Sequence, residues 1–223
     1  MKNKVNVKKI SVVAVLSAMA FLCVFCLKFK VSFLTFDFKD AIISVIAFLY
    51  GPIFSAFSAI FVAFLEFISV SDTGVYGFIM NSLSSLTFAL TCGLIYKYKR
   101  TFCGAIIAVV SAVIVVTLVM MVANIYVTPF YMGVSREEVI NLISPLLLPF
   151  NLCKATMNAA VSMLIYKPIT NAIRRLGLSD NKSTNITKLS VKTIISSVIS
   201  IVIIIGIVLL LVLVLNGSFQ FFK

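Results

Sequence analysis

Two stretches of this 223-residue chain, 103–123 and 193–215, contain no charged residue at all. Each is long enough to cross a hydrocarbon core of roughly 30 Å as a single α-helix. The whole chain is 61% hydrophobic and only 12% charged, a balance that soluble domains do not have. The uncharged runs do not alternate apolar and polar residues as the strands of a membrane β-barrel do. The sequence therefore predicts an all-α polytopic membrane protein.

Two clusters of basic residues constrain how the chain crosses the membrane. They are Lys97, Lys99 and Arg100, and Lys167, Arg174 and Arg175. Cytoplasmic loops are enriched in Lys and Arg, so both clusters are expected on the cytoplasmic side with the basic N-terminus. This is possible only if the run 41–65 forms two short spans that reverse at Gly51-Pro52, because that dipeptide breaks helices. A second span starting at residue 41 would cover only about 15 Å. It must begin nearer Asp37, tilt, or be partly covered by protein.

The resulting topology has six helices with both ends inside, followed by a seventh. The predicted spans are about 10–27, 37–50, 53–70, 76–96, 102–124 and 145–166. We expect a six-helix membrane domain at 1–178, a cytoplasmic linker at 179–192, and an extra transmembrane helix with a short tail at 193–223 that ends outside. The first apolar run is long and lacks an A-x-A-like cleavage site, which favours a retained span over a signal peptide. The seventh helix is almost purely Ile, Val and Leu and is expected to face lipid and bind nothing.

Polar residues inside predicted membrane helices mark candidate sites, because each needs a partner there. Asn151, Lys154 and Asn158 follow one another at spacings of three and four, which places them on one face of the sixth span. The Lys154 ammonium must reach outward to the interface, pair with an anion, or donate to a ligand. The two amides on the same face favour a ligand pocket.

Further candidates fall toward the same, outer ends of the helices. Asn81 lies in the fourth span and Asn124 at the end of the fifth. Thr35, Phe36 and Asp37 belong to the aromatic loop after the first span. Hydrogen bonds between helices are an alternative explanation for the asparagines, and an interfacial belt for the loop. An apolar, aromatic pocket with a few convergent amides suits a small, flat, mostly uncharged ligand.

The sequence lacks motifs for catalysis or metal binding. It has no histidine, no Walker A motif, no H-E-x-x-H and no paired carboxylates, so we expect neither an enzyme nor ATP hydrolysis by this chain itself. Cys23-x-x-Cys26 has no second C-x-x-C to complete a metal site and is interpreted as structural. We expect no metal, no cofactor and no nucleic-acid partner, and a lipid bilayer as the surroundings of the chain.

The first span carries a small-xxx-small pattern, Ala14-x-x-x-Ala18, that lets another helix approach closely. Small residues are common in spanning helices, so the pattern serves either packing within the chain or contact with a partner. The residues alone favour internal packing.

Several segments, taken in order, resemble the substrate-binding S components of energy-coupling factor (ECF) vitamin transporters, most closely those of the riboflavin type. The matching segments are 33–40 with 50–52, 72–74 with Asn81, Asn124 with Tyr126 and Pro129, and 150–154. The resemblance covers about residues 9–176. The sequence departs at Glu66 and Phe67, where many riboflavin-type members carry Lys-Asn, and at Phe78, where a glutamate is frequent.

The resemblance implies a membrane protein that captures a vitamin from outside and docks on a module of one transmembrane coupling subunit and two ATPases. It assigns flavin contacts to Asn124 and Lys154 and the coupling-subunit face to Ala14 and Ala18. The expected function is that of an S component in the cell membrane with riboflavin, or a related flavin, as transported ligand. Two alternatives stay open: an S component for another flat vitamin, and a structural membrane protein without a ligand.

Overall fold

The computed structural model describes residues 7–31, 34–69, 73–178, 191–214 and 220–221. The helices in these ranges are α1 Val7–Leu27, α2 Lys39–Tyr50, α3 Pro52–Ser69, α4 Gly74–Tyr98, α5 Phe102–Met132, α6 Arg136–Leu142, α7 Leu148–Arg175 and α8 Val191–Val214. The strands are β1 Phe29–Val31, β2 Leu34–Phe36 and β3 Gln220–Phe221. The predicted linker at 179–192 lies outside the described residues except for its last two positions, which belong to α8.

The prediction of an all-α polytopic membrane protein is confirmed. Among the described residues, five helical segments are long and apolar enough to cross a membrane. They are α1, α3, α4, α5, and a continuous segment in which α6, a π-helical turn at Ile143–Leu147 and α7 follow one another. α8 adds a shorter apolar stretch, Ile194–Leu209. With the 12-residue α2, these segments correspond to the six predicted spans and the seventh helix.

The predicted reversal at Gly51-Pro52 is also confirmed. α2 ends at Tyr50, Gly51 has a φ of +89° that favours glycine, and Pro52 is the first residue of α3. The corner packs closely on α4, because a Cβ at Gly93 would lie 2.7 Å from Pro52 Cα. A side chain at position 93 would therefore push the corner and α4 apart.

The short second span is accommodated by burial. α2 begins at Lys39, and its residues from 39 to 48 are all buried. They are covered because α2 contacts α1, α3, α4 and α7. A helix of this length extends only about 18 Å, and neighbouring helices make up the difference. Of the solutions that the sequence left open for this span, a start nearer Asp37 and coverage by protein are both adopted.

Two helices are longer than predicted. α5 continues through Pro129 to Met132 and ends at Gly133, whose φ of +67° forms a left-handed cap. Asn124 therefore lies about two turns inside α5 and not at its end. The predicted sixth span, 145–166, likewise extends to Arg175, although Pro168 lies within the helix. α5 thus ends at a glycine and not at the proline four residues before it.

One end of the bundle is basic. Lys9, Lys97 and Arg100 line one cavity beside the corner between α2 and α3. The end of α7 lies there too, since the Tyr50 hydroxyl donates to the Leu178 carbonyl at 3.2 Å. The basic segments that the sequence assigns to one side of the membrane thus share one end of the bundle.

α8 packs on α7 at the edge of the bundle. Most of its described side chains are exposed, as predicted for a helix that faces lipid. Near its start, Ile195 borders an apolar cavity together with Cys103 of α5. Farther along, Ile204 and Ile207 pack against a buried aromatic cluster beside β2. α8 therefore runs from the basic end toward the strands. Its almost purely Ile, Val and Leu composition did not indicate the contacts with the aromatic cluster.

Candidate functional site

The loop between α1 and α2 forms a β-hairpin that the sequence did not predict. β1 and β2 pair antiparallel with Phe29 opposite Phe36, and these two rings stack with centroids 4.8 Å apart. Phe36 is fully buried and meets the ring of Phe150 on α7 edge to face at 6.0 Å. The hairpin therefore lies against α7 through an aromatic cluster, which positions Thr35 and Asp37.

A cavity opens between this hairpin and helices α4, α5 and α7. The space between its walls, including the open mouth, is about 660 Å³. The apolar part of its wall includes Tyr76, Met80, Met120, Tyr131 and Phe150. The polar part includes Thr35, Asn81, Asn124, Thr128, Asn151 and Lys154. The described part of the cavity wall is thus mainly apolar and aromatic, with amides, hydroxyls and the Lys154 ammonium among its groups.

Lys154 is held on the cavity wall by two contacts from the hairpin side. Its ammonium donates to the Thr35 carbonyl at 3.0 Å and to Asp37 Oδ2 at 2.8 Å. Of the three possibilities that the sequence allowed for this lysine, pairing with an anion is the one adopted. An ammonium has three N–H donors, so these two contacts leave a third for another acceptor.

Asn151 and Asn158 lie on the same face of α7 but have different partners. The Asn151 amide donates to the Leu147 carbonyl at 2.8 Å, where the π-helical turn passes into α7, and it borders the cavity. Asn158 Oδ1 accepts the Ala41 N–H at 2.9 Å, and its Nδ2 donates to the Asp37 carbonyl at 2.9 Å. Asn158 therefore ties the start of α2 to α7.

Asn124 and Thr128 of α5 border the same cavity. Asn124 Nδ2 donates to the Met120 carbonyl at 2.7 Å, and its Oδ1 accepts the Thr128 hydroxyl proton at 2.8 Å. A primary amide has two donor hydrogens and two acceptor lone pairs. Asn124 can therefore still offer one donor and one acceptor to a bound molecule.

Behind the cavity wall, Asp37 belongs to a chain of buried ion pairs. Lys39 Nζ lies 3.1 Å from Asp37 Oδ2 and 2.8 Å from Glu66 Oε2, and Lys28 Nζ lies 3.2 Å from Glu66 Oε1. Burial by itself raises the pKa of Asp37. The ammonium groups of Lys154 and Lys39 outweigh that effect and hold this pKa well below its usual range. Asp37 is thus a carboxylate that joins the cavity wall to α2 and α3.

The eight residues predicted for a ligand site fall into two groups. Thr35, Asn81, Asn124, Asn151 and Lys154 line the cavity. Phe36, Asp37 and Asn158 are buried behind its wall, where they hold Lys154 and the hairpin in place. A direct ligand contact stays a prediction for the first group, and we assign the second group to positioning the wall.

Sequence reasoning does not point to the ion pair between Lys39 and Glu66. Glu66 is a lone carboxylate inside a predicted span, a signal that a cation must lie nearby. Lys39 is 27 residues away from it in sequence, and no local pattern joins the two. Met80 and Thr128 likewise look like ordinary helix positions. The packing of α4 beside α5 brings them to one cavity.

The two alanines of the small-xxx-small pattern on α1 face outward. Ala14 and Ala18 are exposed. Ser17 faces the bundle instead, and its hydroxyl lies 2.7 Å from that of Ser58 on α3. Among the described residues the alanines are therefore not packed inside the chain, which corrects the preference for internal packing.

A helical membrane bundle with a largely apolar cavity beneath a hairpin is the architecture of a membrane-embedded binding component. A family model described as "ECF transporter, substrate-specific component" matches residues 8–166. The chain belongs to this family, and the resemblance to riboflavin-type S components is confirmed by its relatives. The "Riboflavin transporter RibU" of Staphylococcus aureus (strain TCH60) is 30% identical over 189 residues, which span 78% of this chain and 98% of that protein. A solved structure described as "Structure and mechanism of the S component of a bacterial ECF transporter" matches with a TM-score of 0.63 and 31% identity, covering 75% of this chain and 98% of the other.

Proposed function

We propose that this chain binds riboflavin or a closely related flavin in the cavity between α4, α5 and α7, and that a separate ATP-driven module completes its uptake. The observation that carries the proposal is the presence of Lys154 and Asn124 on the wall of an otherwise apolar, aromatic cavity. The similarity to a riboflavin transporter supports the choice of a flavin.

The chemistry of a flavin matches these groups one by one. Its flat ring system has large apolar faces, which suit the side chains of Tyr76, Met80 and Phe150. Its pyrimidine-like edge both donates and accepts hydrogen bonds, as the remaining donor and acceptor of the Asn124 amide do. The third N–H of Lys154 suits a carbonyl oxygen of the ring or a hydroxyl of the ribityl chain. The flavin itself is neutral, and the Lys154 ammonium already has the Asp37 carboxylate as an ion-pair partner.

The exposed face of α1 is the proposed contact with the coupling module. Ala14 and Ala18 have side chains small enough for a partner helix to approach the backbone closely. The chain has no Walker A motif, so ATP hydrolysis must come from a partner. One transmembrane coupling subunit and two ATPases are the partners that family membership implies.

The orientation follows from charge. The basic end with Lys9, Lys97 and Arg100 is proposed to face the cytoplasm, because loops rich in Lys and Arg stay on that side. The cavity and the hairpin then face the medium from which the vitamin is taken, and the chain after α8 ends outside.

Purified protein tests the ligand directly. A co-purifying flavin would colour the protein yellow. Protein freed of it should quench riboflavin fluorescence until the flavin is equimolar with the chain. Lumiflavin should compete, because it keeps the ring system, whereas thiamine and biotin should not. Displacement of riboflavin by one of the non-flavin vitamins would favour another flat ligand, and no quenching at all would contradict the proposal.

A further inference from the structure

The C-terminal helix and strand lie outside the part of the chain that the family shares. The family model ends at residue 166. The similar riboflavin transporter is matched over 98% of its own length, but that match takes up only 78% of this chain. α8 and β3 are therefore an addition to the shared fold, and their contacts indicate what the addition does.

Two residues of α8 reach the back of the cavity wall. Ile204 and Ile207 pack against a buried cluster of Phe36, Phe150 and Met157. Phe150 belongs both to this cluster and to the lining of the cavity. α8 therefore packs against the residues through which the hairpin contacts α7.

β3 adds a third strand to the hairpin. Gln220–Phe221 pairs antiparallel with β1, so that the strands lie in the order β2–β1–β3. A hairpin with only three residues in each strand is marginal by itself, and a third strand and an apolar face are what stabilise such a sheet. α8 supplies the apolar contact and β3 supplies the strand.

The position of the hairpin matters for the cavity. Leu34 and Thr35 of β2 line it, and the Thr35 carbonyl and the Asp37 carboxylate hold the Lys154 ammonium. A hairpin that moved away from α7 would release both contacts to Lys154 and open one wall of the cavity.

We propose that α8 and β3 hold the β1–β2 hairpin against the cavity, and that Ile204 and Ile207 are positioning residues that slow the release of the bound ligand. The expected effect on riboflavin release rests on the proposed function. The contacts of α8 and β3 with the hairpin do not depend on which ligand binds.

A pair of matched double variants tests the helix. Ile204→Ala with Ile207→Ala removes the contacts with the cluster. Ile201→Ala with Ile205→Ala removes the same atoms from side chains that are 48% and 53% exposed. In the ligand-free protein, we expect amide hydrogen exchange in 29–31 and 34–36 to be about tenfold faster than in wild type for the Ile204/Ile207 variant only. This factor corresponds to a loss of about 1.4 kcal/mol in the free energy of opening. We expect riboflavin to dissociate about tenfold faster from the first pair, with wild-type rates for the second.

A second variant tests the strand in the full-length chain. Gln220→Pro with Phe221→Pro removes two backbone donors from β3 and leaves α8 unchanged. Faster exchange in the hairpin and faster riboflavin release are again the expected result. The inference is overturned if the two α8 double variants have the same hairpin exchange and riboflavin release rates. It is also overturned if neither the Ile204/Ile207 pair nor the proline pair accelerates exchange in the hairpin. If the wild-type protein does not bind riboflavin, the ligand assignment fails, while the exchange comparison still decides whether α8 and β3 hold the hairpin.

Discussion

At the scale of single residues, Lys154 combines two roles in one ammonium group. Two of its N–H bonds hold the Thr35 carbonyl and the Asp37 carboxylate. The third is available to a molecule in the cavity. Because the Lys154 ammonium is already ion-paired with Asp37, a neutral ligand can bind without leaving this buried cation unpaired. This arrangement explains how a largely apolar cavity can contain a lysine and still suit an uncharged ligand.

Replacement of Lys154 by Met should weaken riboflavin binding by roughly ten- to a hundredfold. A hydrogen bond from a charged donor contributes about 1.5–3 kcal/mol, and each 1.4 kcal/mol is tenfold in affinity. Asn124→Leu should have a similar effect, because the ring edge loses a partner that both donates and accepts. Gly206→Leu on α8 is the control, since a Cβ at that position meets no other atom within 4 Å. Fluorescence titration measures all of these, and wild-type affinity for Lys154→Met would move the site elsewhere.

Asp37 should make the stability of the protein depend on pH in the acid range. Its pKa is lowered in the folded state, so its contribution is fully present above the unfolded-state pKa of about 3.9 and is lost as the pH falls toward the folded-state value. Asp37→Asn should destabilise the protein by about 3 kcal/mol at pH 7, because two buried ammonium groups lose a partner. The difference from wild type should stay constant down to about pH 5 and shrink below about pH 4.

Thermal unfolding in detergent at a series of pH values measures this difference. Glu137→Gln is the matched control, because Glu137 is an exposed carboxylate of α6. Its substitution should change the melting temperature little at any pH. An Asp37→Asn variant as stable as wild type at pH 7 would show that the ion pairs do not support the fold.

At the scale of elements, α2 and α1 differ in how much of their surface the bundle buries. α2 is too short to span a bilayer alone, and it is stable in the bundle because its residues 39–48 are buried among four other helices. α1 buries one side, including Ser17, and leaves Ala14 and Ala18 exposed. A bundle that buries one helix so completely leaves others at its surface, and the exposed residues of α1 include the small Ala14 and Ala18 beside larger ones such as Val15 and Leu22.

Introduction of a bulky side chain on α1 should separate transport from binding. Ala14→Trp or Ala18→Trp should abolish riboflavin uptake by cells, because the added ring prevents close approach of a partner helix. The riboflavin affinity of the isolated subunit should stay near wild type, since neither residue borders the cavity. Met19→Trp is the control, because Met19 is 43% exposed and lies about 100° around the helix from Ala18. Equal loss of binding and uptake in the alanine variants would contradict a docking role.

At the scale of the whole molecule, the bundle has two chemically different ends. One end gathers basic residues such as Lys9, Lys97 and Arg100. The other holds the hairpin and the cavity, with the acidic turn of α6, Glu137 and Glu138, on the same side. This polarity predicts a single orientation in the membrane, with the basic end in the cytoplasm.

Cysteine labelling of intact cells tests that orientation. In a background without the native cysteines, Leu176→Cys at the basic end should be shielded from a membrane-impermeant maleimide, and Glu137→Cys should react. Ser183→Cys and Ser218→Cys, which lie outside the described residues, extend the test to the linker and the tail: the first should be shielded and the second reactive. Reaction of Leu176→Cys or Ser183→Cys with the reagent from outside would contradict the predicted orientation. Labelling after permeabilisation is the control that each cysteine is accessible.

The sequence by itself determined the class of fold, the position of most helices and the reversal at Gly51-Pro52. These features depend on local properties: the length of apolar runs, the charge of loops and the backbone preferences of glycine and proline. The same is true of the shared face of Asn151, Lys154 and Asn158, because helical spacing alone places them there. Five of the eight predicted site residues line the cavity: Asn81, Asn124, Asn151 and Lys154 from apolar helices, and Thr35 from β2.

Only the tertiary structure decided which of these groups meet. Lys154 and Asp37 are 117 residues apart, and the lysine could equally have reached the interface. The hairpin forms because Phe36 packs on Phe150, and α5 extends past Pro129 to the glycine at 133. α8 looks like a plain lipid-facing helix in sequence, yet its contacts reach the back of the cavity wall. Pairing across such distances depends on how the helices pack, a property of the whole bundle that no local pattern in the chain records.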